Sequence, residues 1–354
     1  MKKRTFLVSS TLLLALLLSA PLTAQATAAN DNADAWSIAA RALPAPAAAS
    51  DAVRKAIAAT PAPNPDQRRG LKMTDDQWRA MQSAGAPNLD ELAKLAGVGI
   101  EKKEIAGVPV YVVTPNEVSP KHENHLFFHV HGGGYVLGGG DSAVTEAVSF
   151  ASLMGIRAVS VDYRMPPDHP FPAAVDDAVA VFKAVTQDRP TNSLFIGGTS
   201  AGGGLTLATT LKLKEIGHDL PGALWLGTPW ADLTKTSDSL YTNEGIDRVL
   251  VTYDGMLGAM AKLYAGDKDL KHPLISPLYG DFTGLPPTQL VTGTRDMFLS
   301  DTARTHRKLR GAGVEADLNV YEALSHAEYL MVQGSPESKE VADDLSAFLV
   351  EHLP

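Results

Sequence analysis

The chain has 354 residues, of which 45% are hydrophobic and 20% charged, a composition typical of a folded globular protein with room for a large domain. Its 31 basic and 40 acidic residues give a formal net charge of -9, which argues against nucleic acid or an anionic membrane as a partner. The absence of cysteine excludes disulfides, thiolate metal sites and a cysteine nucleophile.

The N-terminus has the pattern of a secretory signal peptide. Residues 2–4 are basic, residues 6–18 are mostly apolar, and small residues around Ala26 offer a cleavage site. We therefore expect residues 1–26 to be removed and the mature protein to be periplasmic or secreted, without a stable membrane anchor. Because the removed part carries three of the 31 basic residues and no acid, 28 basic residues then face 40 acidic ones, a charge of -12. An uncleaved anchor and a buried helix are the alternatives.

Residues 27–97 are predicted to form an N-terminal helical lid and linker segment. Its first half is rich in Ala and Pro, so only short helices fit there, one of them over residues 50–60. Thr74 and Gln77 form a capping box, which predicts that a helix begins at this point. A further helix is expected over residues 89–95.

Residues 98–354 alternate between strand and helix patterns. Predicted strands lie at 103–115 (two strands with a turn between them), 126–130, 156–163, 194–197, 223–227, 289–292 and 316–321, and predicted helices at 171–187, 201–216, 302–309 and 338–349. This alternation predicts an α/β catalytic domain with a mostly parallel, doubly wound central sheet flanked by helices. An inserted part of the lid is expected at about residues 235–274, where the alternation stops.

Two glycine-rich stretches carry the strongest chemical signal. Residues 198–202 (GTSAG) have the Gly-x-Ser-x-Gly form that places Ser200 on a sharp turn between a strand and a helix. Residues 131–135 (HGGGY) have the form of the facing loop, whose backbone N–H groups stabilise an oxyanion. Either stretch alone fits a flexible turn. Together and in this order they predict acyl transfer to water, with Ser200 as the nucleophile.

A serine nucleophile needs a base, and the base needs an acid that orients it. Among ten histidines, His326 is the candidate base because it follows the last predicted strand, in the chain order Ser, acid, His that such folds use. Asp296 is the candidate acid because it lies at the carboxyl end of the strand over 289–292. Asp301 is less favoured, since it fits the first turn of the next helix.

Other histidines and glycines are less informative. His306 is expected on a solvated helix face and His352 close to the C-terminus, so neither is favoured as the base. His129 and His131 share one face of a strand, as some metal ligands do, but no third ligand lies at a useful spacing. The glycines that follow lack the Gly-Lys-Ser/Thr of a phosphate-binding loop. No metal or cofactor is therefore predicted.

These motifs resemble those of the bacterial hormone-sensitive-lipase-like (family IV) esterases and lipases of the α/β-hydrolase superfamily. The likeness covers about residues 100–350 and rests on several motifs in family order, at 131–135 (HGGGY), 162–164 (DYR), 169–174 (HPFPAA), 198–203 (GTSAGG) and 228–233 (TPWADL). It implies an α/β-hydrolase core, a lid built from N-terminal helices and an insert, no cofactor, and in many members a homodimer.

The resemblance also implies roles for backbone groups. Gly133, Gly134 and Ala201 are expected to donate N–H groups to the oxyanion, with Gly132 as an additional candidate. The chain departs from the family pattern at Thr199, where many members have Asp, at residues 165–168 (MPPD in place of Leu-Ala-Pro-Glu) and at Ala327, in place of Gly. None of these departures removes a catalytic group.

The sequence therefore predicts a serine carboxylic-ester hydrolase that acts on small-molecule esters with short- to medium-chain acyl groups. A triad of Ser200, Asp296 and His326 would work through an acyl-enzyme intermediate. A hydrolase of lactones, amides or peptides with the same triad is the alternative. A non-catalytic binding protein on this fold is less favoured, because no member of the triad is missing.

Overall fold

The computed structural model describes residues 38–354, and the predicted signal peptide, residues 1–26, lies outside them. Residues 45–354 form one compact unit, and residues 38–44 contain no helix or strand. In the described residues no helix is both long and apolar enough to span a membrane.

An eight-stranded sheet runs through the compact unit. In chain order its strands are β1 (Val98–Ile105), β2 (Val108–Pro115), β3 (Leu126–Val130), β4 (Arg157–Val161), β5 (Leu194–Thr199), β6 (Ala223–Gly227), β7 (Thr288–Gly293) and β8 (Ala316–Tyr321). Their order in space is β1-β2-β4-β3-β5-β6-β7-β8. The pairs β1–β2 and β2–β4 are antiparallel and the other five pairs are parallel. The predicted mostly parallel α/β sheet is therefore confirmed.

Helices cover both faces of this sheet. The described α-helices are α1 (Asp51–Ala59), α2 (Asp75–Gln82), α3 (Leu89–Ala96), α4 (Thr145–Met154), α5 (Ala173–Val185), α6 (Ala201–Glu215), α7 (Ser239–Thr242), α8 (Gly258–Ala265), α9 (Leu299–Gly311), α10 (Glu328–Met331) and α11 (Pro336–His352). Alternate strand residues point to opposite sides, so Phe127 and Phe128 belong to two different hydrophobic clusters. One cluster includes α5, α6 and α9, and the other includes α4 and α11.

Local sequence signals set several element boundaries. The Ser50 side chain accepts the N–H of Val53 and caps α1, and Thr74 and Gln77 form both hydrogen bonds of the capping box that starts α2. The first of the two strands predicted over 103–115 is longer at its start, because β1 already begins at Val98.

Helix α4 has no counterpart among the predicted elements. No side chain caps its start, and six of its ten residues are buried, so the alternation of polar and apolar faces that identifies a surface helix is weak. The insert also contains regular structure, since α7 and α8 both lie within residues 235–274.

The turn between β5 and α6 is sterically crowded. The carbonyl oxygen of Val130, at the end of β3, lies between Gly198 and Gly202. A Cβ added to Gly198 would lie 2.0 Å from this oxygen, and one added to Gly202 would lie 2.2 Å from it. Because the neighbouring atoms are backbone, they cannot move aside easily. The two glycines of the GTSAG stretch are therefore required by packing.

We expect Gly198→Ala to lower the free energy of unfolding by about 1–3 kcal/mol, because the added methyl group overpacks the sheet edge. Gly311→Ala is the control, since no atom lies within 4 Å of a Cβ at the end of α9. That control should leave stability unchanged or raise it by about 0.4–1 kcal/mol. Urea unfolding of both variants measures this, and equal stabilities would contradict the packing argument.

Candidate active site

Ser200 occupies a strained turn at the carboxyl edge of the sheet. It has φ 65° and ψ -121°, which few non-glycine residues adopt, and it sits between the last residue of β5 and the first of α6. Two backbone hydrogen bonds fix it there. Its N–H donates to the carbonyl of Gly227 (2.7 Å), and its own carbonyl accepts the N–H of Trp230 (2.9 Å).

A cavity of about 480 Å³ opens above this serine. Ser200, His326 and the glycines at 132–134 line one part of it. The insert supplies an apolar wall, formed by Val249, Leu250, Met256, Leu257 and Met260. Arg68, from the N-terminal segment, also borders the cavity. The volume and the apolar lining are those of a site for a small organic molecule.

Asp296 and His326 meet beside this cavity. The Nδ1 atom of His326 lies 3.2 Å from Oδ1 of Asp296, and both side chains are almost completely buried. The two residues come from the loops that follow β7 and β8, which are neighbours in the sheet. Ser200 and His326 line the same cavity, although no hydrogen bond joins their side chains among the described residues. Such contacts are often long in unliganded enzymes.

Further hydrogen bonds hold the Asp296 carboxylate in place. Its Oδ1 atom also accepts the N–H of Phe298 (2.7 Å), and its Oδ2 atom accepts the hydroxyl groups of Thr292 (3.3 Å) and Thr228. Phe298 packs edge-on against the imidazole of His326, with ring centroids 4.8 Å apart. The orientation of the acid and that of the imidazole are thus fixed together.

The surroundings of His326 favour the protonated form of its imidazole more than water favours that of a free histidine. Burial opposes protonation, but the nearby carboxylates of Asp296 and Asp247 outweigh it and raise the pKa of His326 above its ordinary value. A higher pKa makes the imidazole a stronger base for a proton taken from a hydroxyl group.

The glycine loop lies directly against the serine turn. A Cβ on Gly132 would lie 2.7 Å from the carbonyl oxygen of Thr199, so only glycine allows this approach. Gly133 and Gly134 have positive φ values of 101° and 65°. The backbone N–H groups of Gly133, Gly134 and Ala201 donate to no other group in the described part of the chain. These groups border the cavity or begin α6, where an anion would be favoured.

The His131 side chain packs against the glycine loop. Its Nδ1 atom lies 2.8 Å from the carbonyl oxygen of Gly132, and its ring stacks on Tyr163 at 3.9 Å. Burial lowers the pKa of His131 to about 3, so the ring is neutral. The Tyr163 hydroxyl donates to the His131 carbonyl (2.8 Å), which links the DYR stretch to the HGGGY stretch.

A buried polar network contacts Thr199, the residue directly before Ser200. The Thr199 hydroxyl lies 2.6 Å from Oε1 of Glu146 on α4 and 2.6 Å from the hydroxyl of Tyr329. His129 lies behind Glu146, with its Nδ1 atom 2.8 Å from the Ser160 hydroxyl. An Asp at position 199 would bring a second carboxylate against Glu146. This gives a physical reason for Thr at the position where many family members have Asp.

The less favoured candidates lie elsewhere. The Asp301 carboxylate accepts the N–H of Asp232 (3.0 Å) and the hydroxyl of Ser237, and it does not contact His326. The Nε2 atom of His306 bonds the carbonyl of Ala316 (3.1 Å), and His352 lies near Glu315. His326, which borders the cavity together with Ser200, therefore has the buried Asp296 as its carboxylate partner.

Several supporting residues were not identified from the sequence. Thr228 and Glu146 were absent from the candidate residues, as was Asp247 of the insert. For Thr228 a signal existed, because it directly follows β6 at the carboxyl edge of the sheet, where Ser200, Asp296 and His326 also lie. Glu146 and Asp247 carry no comparable signal.

Known proteins resemble the chain in sequence and in structure. A family model described as the alpha/beta hydrolase fold matches residues 127–330. An esterase of Acinetobacter venetianus is 30% identical over 280 residues, covering 78% of this chain and 91% of that protein. An acetyl-hydrolase of Streptomyces hygroscopicus is 32% identical over 230 residues, covering 65% of this chain and 76% of the relative.

Solved structures agree with the sequence comparison. The crystal structure of an esterase named E25 has a TM-score of 0.87 at 48% identity and covers 90% of this chain and 99% of that chain. That of an esterase from the bacterial hormone-sensitive lipase family has a TM-score of 0.71 at 29% identity, covering 87% and 100%. The chain therefore belongs to the α/β-hydrolase fold family, as an esterase of the bacterial hormone-sensitive-lipase type.

Proposed function

We propose that this esterase hydrolyses carboxylic esters through a Ser200–His326–Asp296 triad and a covalent acyl-enzyme. The observation that carries the proposal is the convergence of a strained serine, a buried histidine–carboxylate pair and free backbone N–H groups around one cavity. Each of these parts meets a separate requirement of acyl transfer, namely a nucleophile, a base and stabilisation of negative charge.

The reaction would proceed in two halves. His326 accepts the proton of the Ser200 hydroxyl through Nε2 while its Nδ1–H donates to Asp296, and Ser200 Oγ attacks the ester carbonyl. The N–H groups of Gly133, Gly134 and Ala201 stabilise the resulting oxyanion. The alcohol leaves with the proton held by His326. Water, deprotonated by the same imidazole, then releases the carboxylic acid and restores the serine.

The insert and the N-terminal segment would together act as the lid. The support is that Met256, Leu257 and Met260 of the insert, and Arg68 of the N-terminal segment, border the cavity that contains Ser200. A cover of this kind excludes water from the acyl-enzyme except at the hydrolytic step. It also limits the length of acyl group that the site can enclose.

We expect Ser200→Ala to reduce kcat for p-nitrophenyl butyrate by at least about 10⁴-fold, because the nucleophile is lost while the fold remains. A fluorophosphonate probe should label the wild type and not this variant. Ser83→Ala, at an exposed serine after α2, is the control and should react normally. Ester turnover by Ser200→Ala at the wild-type rate would place the nucleophile elsewhere.

The pH dependence of kcat/KM should have an acidic limb above the ordinary histidine pKa. Below its pKa, His326 is an imidazolium that cannot accept a proton, and neighbouring carboxylates raise that pKa. Asp296→Asn removes one of these carboxylates, so the limb should move to lower pH while kcat falls by about 10⁴-fold. The rate of fluorophosphonate labelling against pH measures the limb in both proteins.

Asp301→Asn is the control for this titration. Burial raises the pKa of Asp301 to about 7, and this carboxyl group bonds Asp232 and Ser237 and does not contact the imidazole. If the limb moved in Asp301→Asn and stayed in place in Asp296→Asn, the titration would depend on Asp301 and not on Asp296. That result would contradict our account.

Acyl-chain length should follow the size of the cavity. While a chain is enclosed, each added methylene contributes up to about 0.8 kcal/mol of transfer free energy, and the gain ends where the chain outgrows about 480 Å³. Among p-nitrophenyl esters we expect kcat/KM to peak between acetate and octanoate and to fall for palmitate. A maximum at palmitate would contradict the proposed preference for short- to medium-chain esters.

A further inference from the structure

A second carboxylate, that of Asp247, lies next to the triad and takes no part in the reaction steps above. Asp247 belongs to the insert, between α7 and the segment Tyr253–Leu257, and its side chain is completely buried. Burying a charged group is costly unless hydrogen bonds compensate for the lost water. The partners of this carboxylate are therefore informative about what it does.

Its hydrogen bonds reach three separate parts of the site. Oδ1 accepts the backbone N–H groups of Val249 (2.8 Å) and Leu250 (3.1 Å), both of which border the cavity. Oδ2 accepts the N–H of Met297 (2.9 Å), the residue directly after the triad acid. Oδ1 also accepts the N–H of His326 itself at 3.5 Å. One side chain thus connects the cavity wall with the loops of the acid and the base.

Neighbouring insert residues reinforce the same connection. The Asn243 side-chain amide donates to the backbone carbonyl of Asp296 (2.8 Å). The backbone N–H of Arg248 donates to the Ser325 hydroxyl (3.2 Å), and the Arg248 guanidinium forms a buried ion pair with Glu328. The insert therefore holds the acid loop at the peptide bond between Asp296 and Met297, and the histidine loop on both sides of His326.

Building on the proposed triad, we propose that Asp247 is a positioning residue for the triad. It fixes the loops of Asp296 and His326 against the insert and adds a second negative charge beside the imidazole. It touches neither the substrate nor the reacting atoms, and it acts through the geometry of Asp296 and the charge balance of His326. An error of about 1 Å in such a geometry can cost about 10²-fold in rate.

The charged groups around Asp247 are consistent with this role. They are Asp296 on the β7–α9 loop, His326 on the β8–α10 loop, and the Arg248–Glu328 pair. Burial and repulsion from Asp296 raise the pKa of Asp247 to about 6, while attraction to His326 and the N–H donors partly offset them. Asp247 is thus charged at neutral pH. The groups titrate as a coupled set.

Asp247→Asn tests the proposal. The amide keeps the shape of the side chain but replaces one acceptor oxygen with a donor and removes the charge. We expect kcat for p-nitrophenyl butyrate to fall by about 10- to 100-fold with KM close to that of the wild type. We also expect the acidic limb of kcat/KM to move to lower pH, since the charge that raises the pKa of His326 is gone.

Two further variants separate positioning from general destabilisation. Asp301 is also a buried carboxylate that accepts a backbone N–H, but it lies away from His326. Asp301→Asn should therefore lower the stability of the protein and leave the acidic limb in place. Asn243→Ala removes the bond to the Asp296 carbonyl and keeps the Asp247 charge, so kcat should fall while the limb stays. A wild-type kcat and limb in Asp247→Asn would overturn the proposal.

If Asp247→Asn fails to fold, Asn243→Ala tests the proposal in its place. A wild-type kcat in Asn243→Ala would show that contacts from the insert do not position the loop that carries Asp296. Failure of the triad proposal has a different signature, since Ser200→Ala would then remain active. An inactive Ser200→Ala together with a fully active Asp247→Asn would sink only the positioning role.

Discussion

The hydrogen bond between Nδ1 of His326 and Oδ1 of Asp296, at 3.2 Å, connects two loops that leave neighbouring parallel strands. An imidazole on a loop could take many orientations, but this carboxylate selects one ring orientation and one tautomer. Asp296 can do so because its own oxygens are held by Thr228, Thr292 and the N–H of Phe298. The chemistry of the site therefore depends on the packing of the sheet edge.

The serine turn is fixed by a different means. Steric crowding around the Val130 carbonyl requires glycines at 198 and 202, and the strained φ of Ser200 is maintained by backbone hydrogen bonds to Gly227 and Trp230. Next to it, Glu146 and Tyr329 both form hydrogen bonds with the buried hydroxyl group of Thr199. Ser200 thus rests on rigid backbone, as a preorganised site requires.

Contacts between neighbours in the chain and continuous apolar stretches made much of the fold predictable. The strand over 126–130 was predicted with its observed bounds, because a fully buried parallel strand is a continuous apolar segment. The capping residues Ser50 and Thr74 marked helix starts through bonds that span only three residues. The GTSAG and HGGGY stretches likewise carry their geometry locally, in their glycines.

What escaped prediction depends on contacts between distant residues. Helix α4 lacks a clear polar face, and its Glu146 reaches Thr199 across 53 residues. Asp247 meets the N–H of Met297 across 50 residues and that of His326 across 79, from an insert whose path no local pattern fixes. The backbone conformation of Ala327 was not predicted either. Ala327 has a φ of 57°, which explains why glycine is usual at this position in the family that the sequence resembles.

The central claim, that Ser200 carries the acyl group, is tested most directly by rapid acid quench of the enzyme during turnover of p-nitrophenyl butyrate, followed by mass spectrometry of its peptides. The account predicts a butyryl ester on the peptide that contains Ser200, located on that serine by fragmentation. A butyryl group on any other residue, or steady turnover with no acylated peptide, would contradict it.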